Sequence, residues 1–186
     1  MTYPTLPESG PWLREAREEI ERRGLTVECV SGGGTEAALR THEIGEVTEI
    51  RAGTYVYGDR ACLANGSVTL DDCALRIRAT VVSRPTENRA ILDSGSKTLT
   101  NDPAEGTPDE GRGLILKFPE ARIYALSEEH GHVDLSGCAA RPEVGEVVTI
   151  VPNHACGCTN MHNEVVAHRG GRVVATWPVA ARGLIR

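Results

Sequence analysis

Lysine is scarce in this sequence: Lys97 and Lys117 are the only two lysines among 20 basic residues. Chemistry that needs a nucleophilic side-chain amine is therefore confined to two positions. Acidic residues number 26 and give the chain a net charge of −6. This balance argues against a general nucleic-acid binder, because such proteins carry a clustered basic face.

The sequence also lacks a long hydrophobic run. No apolar segment approaches the roughly 18 residues that span a membrane, and residues 1–4 do not begin a signal peptide. We therefore expect a soluble, cytoplasmic protein with no membrane partner and no nucleic-acid partner. Without a secretion signal, the six cysteines are expected to be free thiols rather than disulfides.

The first 43 residues show an α/β pattern. A helix is predicted over residues 11–23, a short strand over 25–30 and a candidate second helix over 36–40, with a glycine-rich loop before the latter. One such unit does not close a sheet or a barrel alone. Residues 1–43 are therefore predicted to be the terminal segment of an α/β barrel.

The predicted first helix is amphipathic, with Trp12, Leu13 and Ile20 on one side. In a complete barrel this side would pack against further elements. Since one α/β unit offers no such partner, we expect these three side chains to be more exposed than core residues, or covered by a second copy.

Residues 44–186 are predicted to form a mainly β domain. Short apolar or alternating runs are separated by clusters of Gly, Pro, Asp and Asn, which is typical of β-rich folds. A terminal hairpin is predicted around Gly170-Gly171, and residues 101–111 are predicted to be a surface loop. The predicted strands cover residues 46–57, 73–82, 89–93, 113–118, 122–126, 146–151, 165–168 and 172–177.

The densest concentration of metal-capable side chains follows the sixth of these strands. His154, Cys156, Cys158 and His162 lie within nine residues. If the strand continues into this motif, His154 and Cys156 point to the same face and offer an imidazole and a thiolate to a cation such as Zn²⁺. Cys158 has the parity of a third ligand, although Gly157 argues against a continuous strand. The alternative is a buried thiol beside a histidine that bonds to the backbone.

The glycine-rich loop Ser31-Gly32-Gly33-Gly34-Thr35 is a candidate phosphate site. A loop between a strand and a helix presents backbone N–H groups to an anion, and the hydroxyls of Ser31 and Thr35 add donors. The sequence lacks the Gly-Lys-Ser/Thr ending of a nucleotide P-loop and the spacing of a dinucleotide fingerprint. A small phosphorylated cofactor therefore fits better than a nucleotide, with a plain flexible turn as the alternative.

Two histidines, His130 and His132, lie beside Glu128 and Glu129. On a strand both rings would face one way, as metal ligands do, whereas histidines beside two acids at a strand end are commonly solvated. His130, which lies between Glu129 and Gly131, is the candidate catalytic residue of this cluster.

Five motifs occur in one order along nearly the whole chain from about residue 25. They are Ser31-Gly32-Gly33-Gly34-Thr35, Gly53-Thr54-Tyr55-Val56-Tyr57-Gly58-Asp59, Asp93-Ser94-Gly95-Ser96-Lys97-Thr98, Ser127-Glu128-Glu129-His130-Gly131 and Pro152-Asn153-His154-Ala155-Cys156. Together they resemble the C-terminal part of the D-threonine aldolase and eukaryotic-type D-serine dehydratase family. These are fold-type III pyridoxal-phosphate enzymes related to alanine racemase.

The resemblance implies a fold and a set of ligands. The fold is an eight-stranded α/β barrel followed by a β-rich domain, of which this chain holds the β domain and a short α/β remnant. In the complete enzyme, residues 31–35 would hold the phosphate of pyridoxal 5′-phosphate, and His154 and Cys156 would bind a divalent metal. The family's dehydratases use zinc through a His-x-Cys pair, whereas its aldolases usually have Asp second and prefer manganese. Cys156 therefore favours the dehydratase side.

This chain departs from the family's pattern at two places. Gly157-Cys158 follow the His-x-Cys pair where Pro-Thr is typical, and the early barrel strand with the Schiff-base lysine is not contained in the 186 residues. Lys97 belongs to a different motif and Lys117 lies in an apolar strand, so neither is expected to replace that lysine.

These observations lead to one main hypothesis and two rivals. The main hypothesis is the C-terminal part of a pyridoxal-phosphate- and metal-dependent D-amino-acid lyase, acting on D-3-hydroxy amino acids by dehydration or aldol cleavage. It would work as a homodimer or with a separate barrel polypeptide. The rivals are a non-catalytic metal-binding β module and the subunit of a split enzyme.

Overall fold

Two compact units divide the chain, Met1–Val56 and Tyr57–Arg186. The computed structural model describes residues 6–104, 106–107 and 111–184, with side chains from residue 9 onward. Residues 1–4, whose sequence was used above, and four positions of the predicted surface loop therefore lie outside the described residues. The boundary between residues 43 and 44 stays a prediction.

The N-terminal unit begins with the helix α1, Leu6–Arg22. It starts before the predicted position, so Pro11 lies inside the helix, and it ends before Gly24, which has a φ of +81°. Trp12 is 68% exposed and Ile20 is 41% exposed, while Leu13 is partly buried. This confirms the prediction that the apolar side of the helix is more exposed than the core.

The rest of this unit has little regular structure in its described residues. Strand β1, Ser31–Gly32, pairs in parallel with β2, Glu49–Ile50. The predicted strand over 25–30 is wrong, and the one over 46–57 is reduced to the two residues of β2. The reason is that the ladder between β1 and β2 provides backbone partners for only two residues on each side. The candidate helix over 36–40 is a single 3₁₀ turn, and the three such turns are Thr35–Ala37, Thr41–Glu43 and Thr54–Val56.

The second unit is built on a closed six-stranded barrel. Its strands follow one another in the order β3-β4-β7-β6-β5-β8, and every neighbouring pair is antiparallel. Closure pairs the edges that an open sheet would leave exposed. The strands are β3 Ile77–Thr86, β4 Arg89–Leu92, β5 Leu114–Ile115, β6 Arg122–Leu126, β7 Gly131–Asp134 and β8 Val147–Val151.

The barrel interior is the hydrophobic core. In β3 the alternating positions Ile77, Ala79 and Val81 are buried, as in a strand with one face toward the core. Residues on the facing strands complete this core, including Leu92, Ile123, Val133, Val148 and Ile150. The rigid barrel fixes the ends of its strands, where the candidate functional residues lie.

The second unit also contains three short helices and a terminal hairpin in its described residues. The helices are α2 Arg60–Ala64, α3 Ser96–Leu99 and α4 Ala155–Asn160. Strands β9 Glu164–Arg169 and β10 Arg172–Pro178 form the predicted terminal hairpin, and Gly170 and Gly171 both have the positive φ that a tight hairpin turn requires. No helix among the described residues is long and apolar enough to cross a membrane.

Candidate metal centre

His154 lies at the junction between a strand and a helix. Strand β8 ends at Val151 and α4 begins at Ala155, so His154 is the residue that precedes the helix, with extended backbone angles of φ −138° and ψ 105°. Cys156 lies in the first turn of α4. The strand thus ends where it was predicted to end and does not continue through Cys156, so strand parity does not place the two side chains on one face.

A distant carboxylate explains why the chain turns into a helix here. Asp59 is 1% exposed, and its two oxygens accept hydrogen bonds from the backbone N–H groups of Cys62 and Ala155, each at 2.9 Å. It thus caps the start of α2 and the start of α4 together. Because His154 supplies no side-chain cap, Asp59 stabilises the helical turn that carries Cys156.

Backbone hydrogen bonds extend this junction. Arg60 N–H donates to the carbonyl of Pro152 at 3.0 Å, and Ala61 N–H donates to that of Asn153 at 3.4 Å. The start of α2 is therefore paired along the segment that leads to His154. This pairing fixes the main chain that directly precedes His154.

Asn153 binds both ends of the 101–111 segment through its side-chain amide. Its side chain is 1% exposed, and its amide nitrogen donates to the carbonyl oxygens of Asp102 and Gly111 at 3.0 and 2.7 Å. Ala104 is only 6% exposed. The loop predicted to lie on the surface is thus partly buried, because a buried amide holds both of its ends.

The loop brings a carboxylate to the imidazole. Asp102 Oδ2 lies 2.8 Å from His154 Nδ1, and each side chain is a little under half exposed. The two residues line an open cleft of about 370 Å³ together with Ala61, Pro103 and Asn153. Nothing in the sequence indicates that Asp102 would meet His154, because 52 residues separate them.

The other candidate ligands of the motif are directed elsewhere. Cys158 is fully buried, its thiol donates to the carbonyl of Thr98 at 3.0 Å, and burial raises its pKa to about 12. A thiol so protonated is a poor metal ligand. His162 Nε2 lies 3.4 Å from the same carbonyl. Cys156, by contrast, is exposed.

The donor set is therefore small. Across the part of the chain that the structure describes, no group of three or more His, Cys, Asp or Glu side chains is arranged to hold a metal ion. An oriented imidazole at His154 and an exposed thiol at Cys156 suit a borderline cation such as zinc, with its remaining positions filled from outside this chain.

Comparisons with known proteins decide the family. The family model described as "Putative serine dehydratase domain" matches residues 74–168, which is more than half of the chain. The chain belongs to this family. The resemblance seen in the sequence is thereby confirmed.

The relatives of this chain include an aldolase and an uncharacterised protein. The chain is 34% identical to a D-threonine aldolase of an Arthrobacter species over 170 residues, which cover 90% of this chain and 43% of the aldolase. It is 40% identical to an uncharacterised protein of Mycobacterium tuberculosis over 131 residues, which cover 68% of this chain and 96% of that protein.

A solved structure shows the same fold. The D-threo-3-hydroxyaspartate dehydratase of Delftia sp. HT23 matches with a TM-score of 0.77 and 28% identity, covering 93% of this chain and 49% of the dehydratase. The chain thus spans about half the length of the aldolase and of the dehydratase. The predicted fold class, the mainly β domain of a fold-type III enzyme, is confirmed.

His130 lies in the turn between β6 and β7, away from the residues that line the cleft. Its carbonyl accepts a hydrogen bond from Ser127 N–H at 2.9 Å, and its side chain is exposed. The neighbouring Glu128 and Glu129 both pair with Lys97. His132 is in β7, where its ring centroid lies 6.1 Å from that of Tyr124. A catalytic role for His130 stays a prediction.

The glycine loop lies in the N-terminal unit, where its two hydroxyl side chains bond to other residues of that unit. The Ser31 hydroxyl donates to Glu49, and the buried Thr35 hydroxyl accepts from Tyr55 N–H at 3.0 Å. Gly33 has a φ of +76°, which suits a close turn. The hydroxyls are thus occupied by protein partners, and a carboxylate lies at the loop, so a phosphate fits residues 31–35 only after Glu49 has turned away. The predicted cofactor residues stay a prediction.

Neither lysine is a candidate for the covalent attachment of an aldehyde. Lys97 is paired with two carboxylates at 2.8 Å, and these hydrogen bonds raise its pKa, which keeps the amine protonated. Lys117 pairs with Glu146, whose pKa the hydrogen bond lowers. The described residues therefore do not fit the aldehyde end of pyridoxal phosphate.

Proposed function

We propose that this chain is the metal-bearing part of a pyridoxal-phosphate- and metal-dependent lyase for D-3-hydroxy amino acids. The observation that carries the proposal is the imidazole of His154, held by Asp102 at the mouth of a cleft, with the exposed Cys156 thiol two residues away. The similarity of the chain to a D-threonine aldolase and to a D-threo-3-hydroxyaspartate dehydratase supports the proposal.

Solved structures of D-threo-3-hydroxyaspartate dehydratase variants support the metal assignment. They include one variant with a histidine replaced by alanine and another with a cysteine two positions later replaced by alanine, the second in a metal-free form. His154 and Cys156 have the same spacing. We therefore assign them as the two protein ligands of a divalent metal, with zinc preferred over manganese because thiolate is a soft ligand.

The residues of this chain would act by binding and positioning. His154 and Cys156 hold the ion, Asp59 fixes the turn that carries them, and the open cleft leaves space for water and a substrate oxygen. When bound, the metal would polarise the β-hydroxyl of the D-amino acid and so assist its departure or its deprotonation. We assign no step to pyridoxal phosphate on this chain. We further propose that, in the complete enzyme, residues 31–35 contact the phosphate of that cofactor and His130 acts as a polar group.

A second candidate is a subunit that works with a separate barrel polypeptide or as a free-standing metal-binding module. The mycobacterial relative favours it, because a match of 131 residues to this chain covers 96% of that protein but only 68% of this chain. That relative is therefore shorter than the 186 residues of this chain. A homodimer of complete lyases is the alternative assembly.

Metal analysis tests the assignment. We expect about one zinc ion per chain in the purified protein, and His154→Ala and Cys156→Ala each to lower zinc affinity by more than about a hundredfold, since each removes one of only two protein ligands. Zinc is measured by plasma mass spectrometry after dialysis, and affinity by competition with a chromophoric chelator.

Cys29→Ala is the matched control, because Cys29 is also an exposed cysteine but lies in the other unit. It should bind zinc as the unaltered chain does. Equal zinc content in all three variants would overturn the metal assignment.

A further inference from the structure

We infer that Asp102 is a positioning residue that fixes which nitrogen of His154 binds the metal. The inference rests on the proposed function. The carboxylate oxygen lies 2.8 Å from Nδ1. A carboxylate at this distance accepts a hydrogen bond from Nδ1–H, which leaves Nε2 as the nitrogen with a free electron pair and restricts rotation of the ring.

Several contacts hold Asp102 in place. Its carbonyl accepts from the buried Asn153 amide at 3.0 Å, and its N–H donates to Thr100 Oγ1 at 3.3 Å. Thr100 has a φ of +62°, a backbone conformation that non-glycine residues rarely adopt. The loop is thus held, with some backbone strain, in the conformation that presents the carboxylate to His154.

Gly157 leaves the space that this carboxylate occupies. A Cβ atom at position 157 would lie 2.8 Å from Asp102 Oδ2 and 3.1 Å from Thr100 Cγ2, closer than side chains normally approach. Any larger residue there would displace the carboxylate from His154. The departure from the family's Pro-Thr at Gly157-Cys158 is therefore coupled to the contact between Asp102 and His154.

Asp102 acts on the imidazole and is not itself a third ligand. The described residues contain no group of three ligating side chains, so the carboxylate is not gathered with both His154 and Cys156. A carboxylate that accepts from a ligating histidine raises the basicity of the other ring nitrogen, and removing such a partner typically lowers metal affinity about 10–100-fold.

The first experiment uses the metal-free protein. Long-range ¹H–¹⁵N NMR of His154 should show the Nδ1–H tautomer in the unaltered chain. In Asp102→Ala the Nε2–H tautomer, which predominates in a histidine side chain in water, should become the major form. Asp102→Asn, which keeps an acceptor oxygen, should retain a larger share of Nδ1–H. An unchanged tautomer in Asp102→Ala would overturn the inference.

The second experiment measures zinc affinity. We expect about a 10–100-fold loss in Asp102→Ala, partial rescue in Asp102→Asn, and a loss in Gly157→Ala. The melting temperature of each variant is measured alongside, because a loss of zinc affinity in a chain that melts like the unaltered one reports positioning and not folding. Asp71→Ala, an exposed acid outside the cleft, is the control and should bind zinc normally.

The two proposals fail in different ways. If His154→Ala loses zinc but Asp102→Ala and Gly157→Ala bind it as the unaltered chain does, the positioning role is wrong and the metal site stands. If His154→Ala binds zinc normally, the metal site itself is wrong.

Discussion

Asp59→Ala is expected to destabilise the barrel unit by about 3 kcal/mol. The substitution removes a buried carboxylate that accepts from two backbone N–H groups, those of Cys62 and Ala155, and leaves both donors without their partner. Hydrogen bonds to a charged acceptor are each worth about 1.5–3 kcal/mol, and a buried orphaned donor costs a similar amount. Urea unfolding followed by far-UV circular dichroism measures the change.

The same substitution should weaken zinc binding, because Ala155 N–H loses the group that fixes the first turn of α4. Asp59→Asn keeps one acceptor oxygen and should cost about half as much stability. Asp71→Ala, at an exposed position of the same unit, should leave the free energy of unfolding within about 0.5 kcal/mol. An equally small change in Asp59→Ala would show that water replaces the carboxylate and that the cap is dispensable.

Most strands of the second unit were predictable because their information is local, whereas strand β7 and the closure of six strands into a barrel were not predicted. Residues 75–80 alternate between apolar and polar side chains, and Ile77, Ala79 and Val81 are accordingly buried in β3. The hairpin turn at Gly170-Gly171 follows from the freedom of glycine to adopt positive φ. Each of these features depends on neighbours in the sequence, so a single chain suffices to predict it.

The site was only half predictable, because long-range contacts determine its shape. His154 and Cys156 were identified by residue type and spacing, but the strand ends at Val151, so the condition that would place both on one strand face is not met. The helix that follows is capped by Asp59, 96 positions away in the sequence. The pattern of residues 147–158 therefore could not predict the helix that begins after the strand, because the capping carboxylate lies outside that segment.

Asp59 and Asn153 nevertheless lie in motifs that the sequence singled out. Asp59 closes the motif that begins at Gly53, and it directly precedes the short helix α2, where an aspartate is a favoured capping residue. Asn153 directly precedes His154. A helix-capping search would have found the first half of Asp59's role, whereas its second acceptor contact and the meeting of Asp102 with His154 required the folded chain.

A separate chain of these 186 residues is expected to show no lyase turnover with added pyridoxal phosphate. The cofactor stabilises a carbanion at the substrate's Cα when a lysine has first attached it covalently. The chain's two lysines are Lys97 and Lys117, and both amines are engaged by carboxylates. For Lys97 these contacts raise the pKa, so the deprotonated amine that would attack the aldehyde is depleted at neutral pH.

The measurement is turnover of D-serine and D-threonine in the presence of zinc and pyridoxal phosphate, together with the visible absorbance of the cofactor. A complete D-threonine aldolase provides the positive control. Any absorbance from binding should persist in the Lys97→Ala and Lys117→Ala variants, because attachment at the N-terminal amine or non-specific attachment does not depend on them. Turnover that disappears with Lys97→Ala would contradict the prediction and would show that the ion pairs with Glu128 and Glu129 open to release a nucleophilic amine.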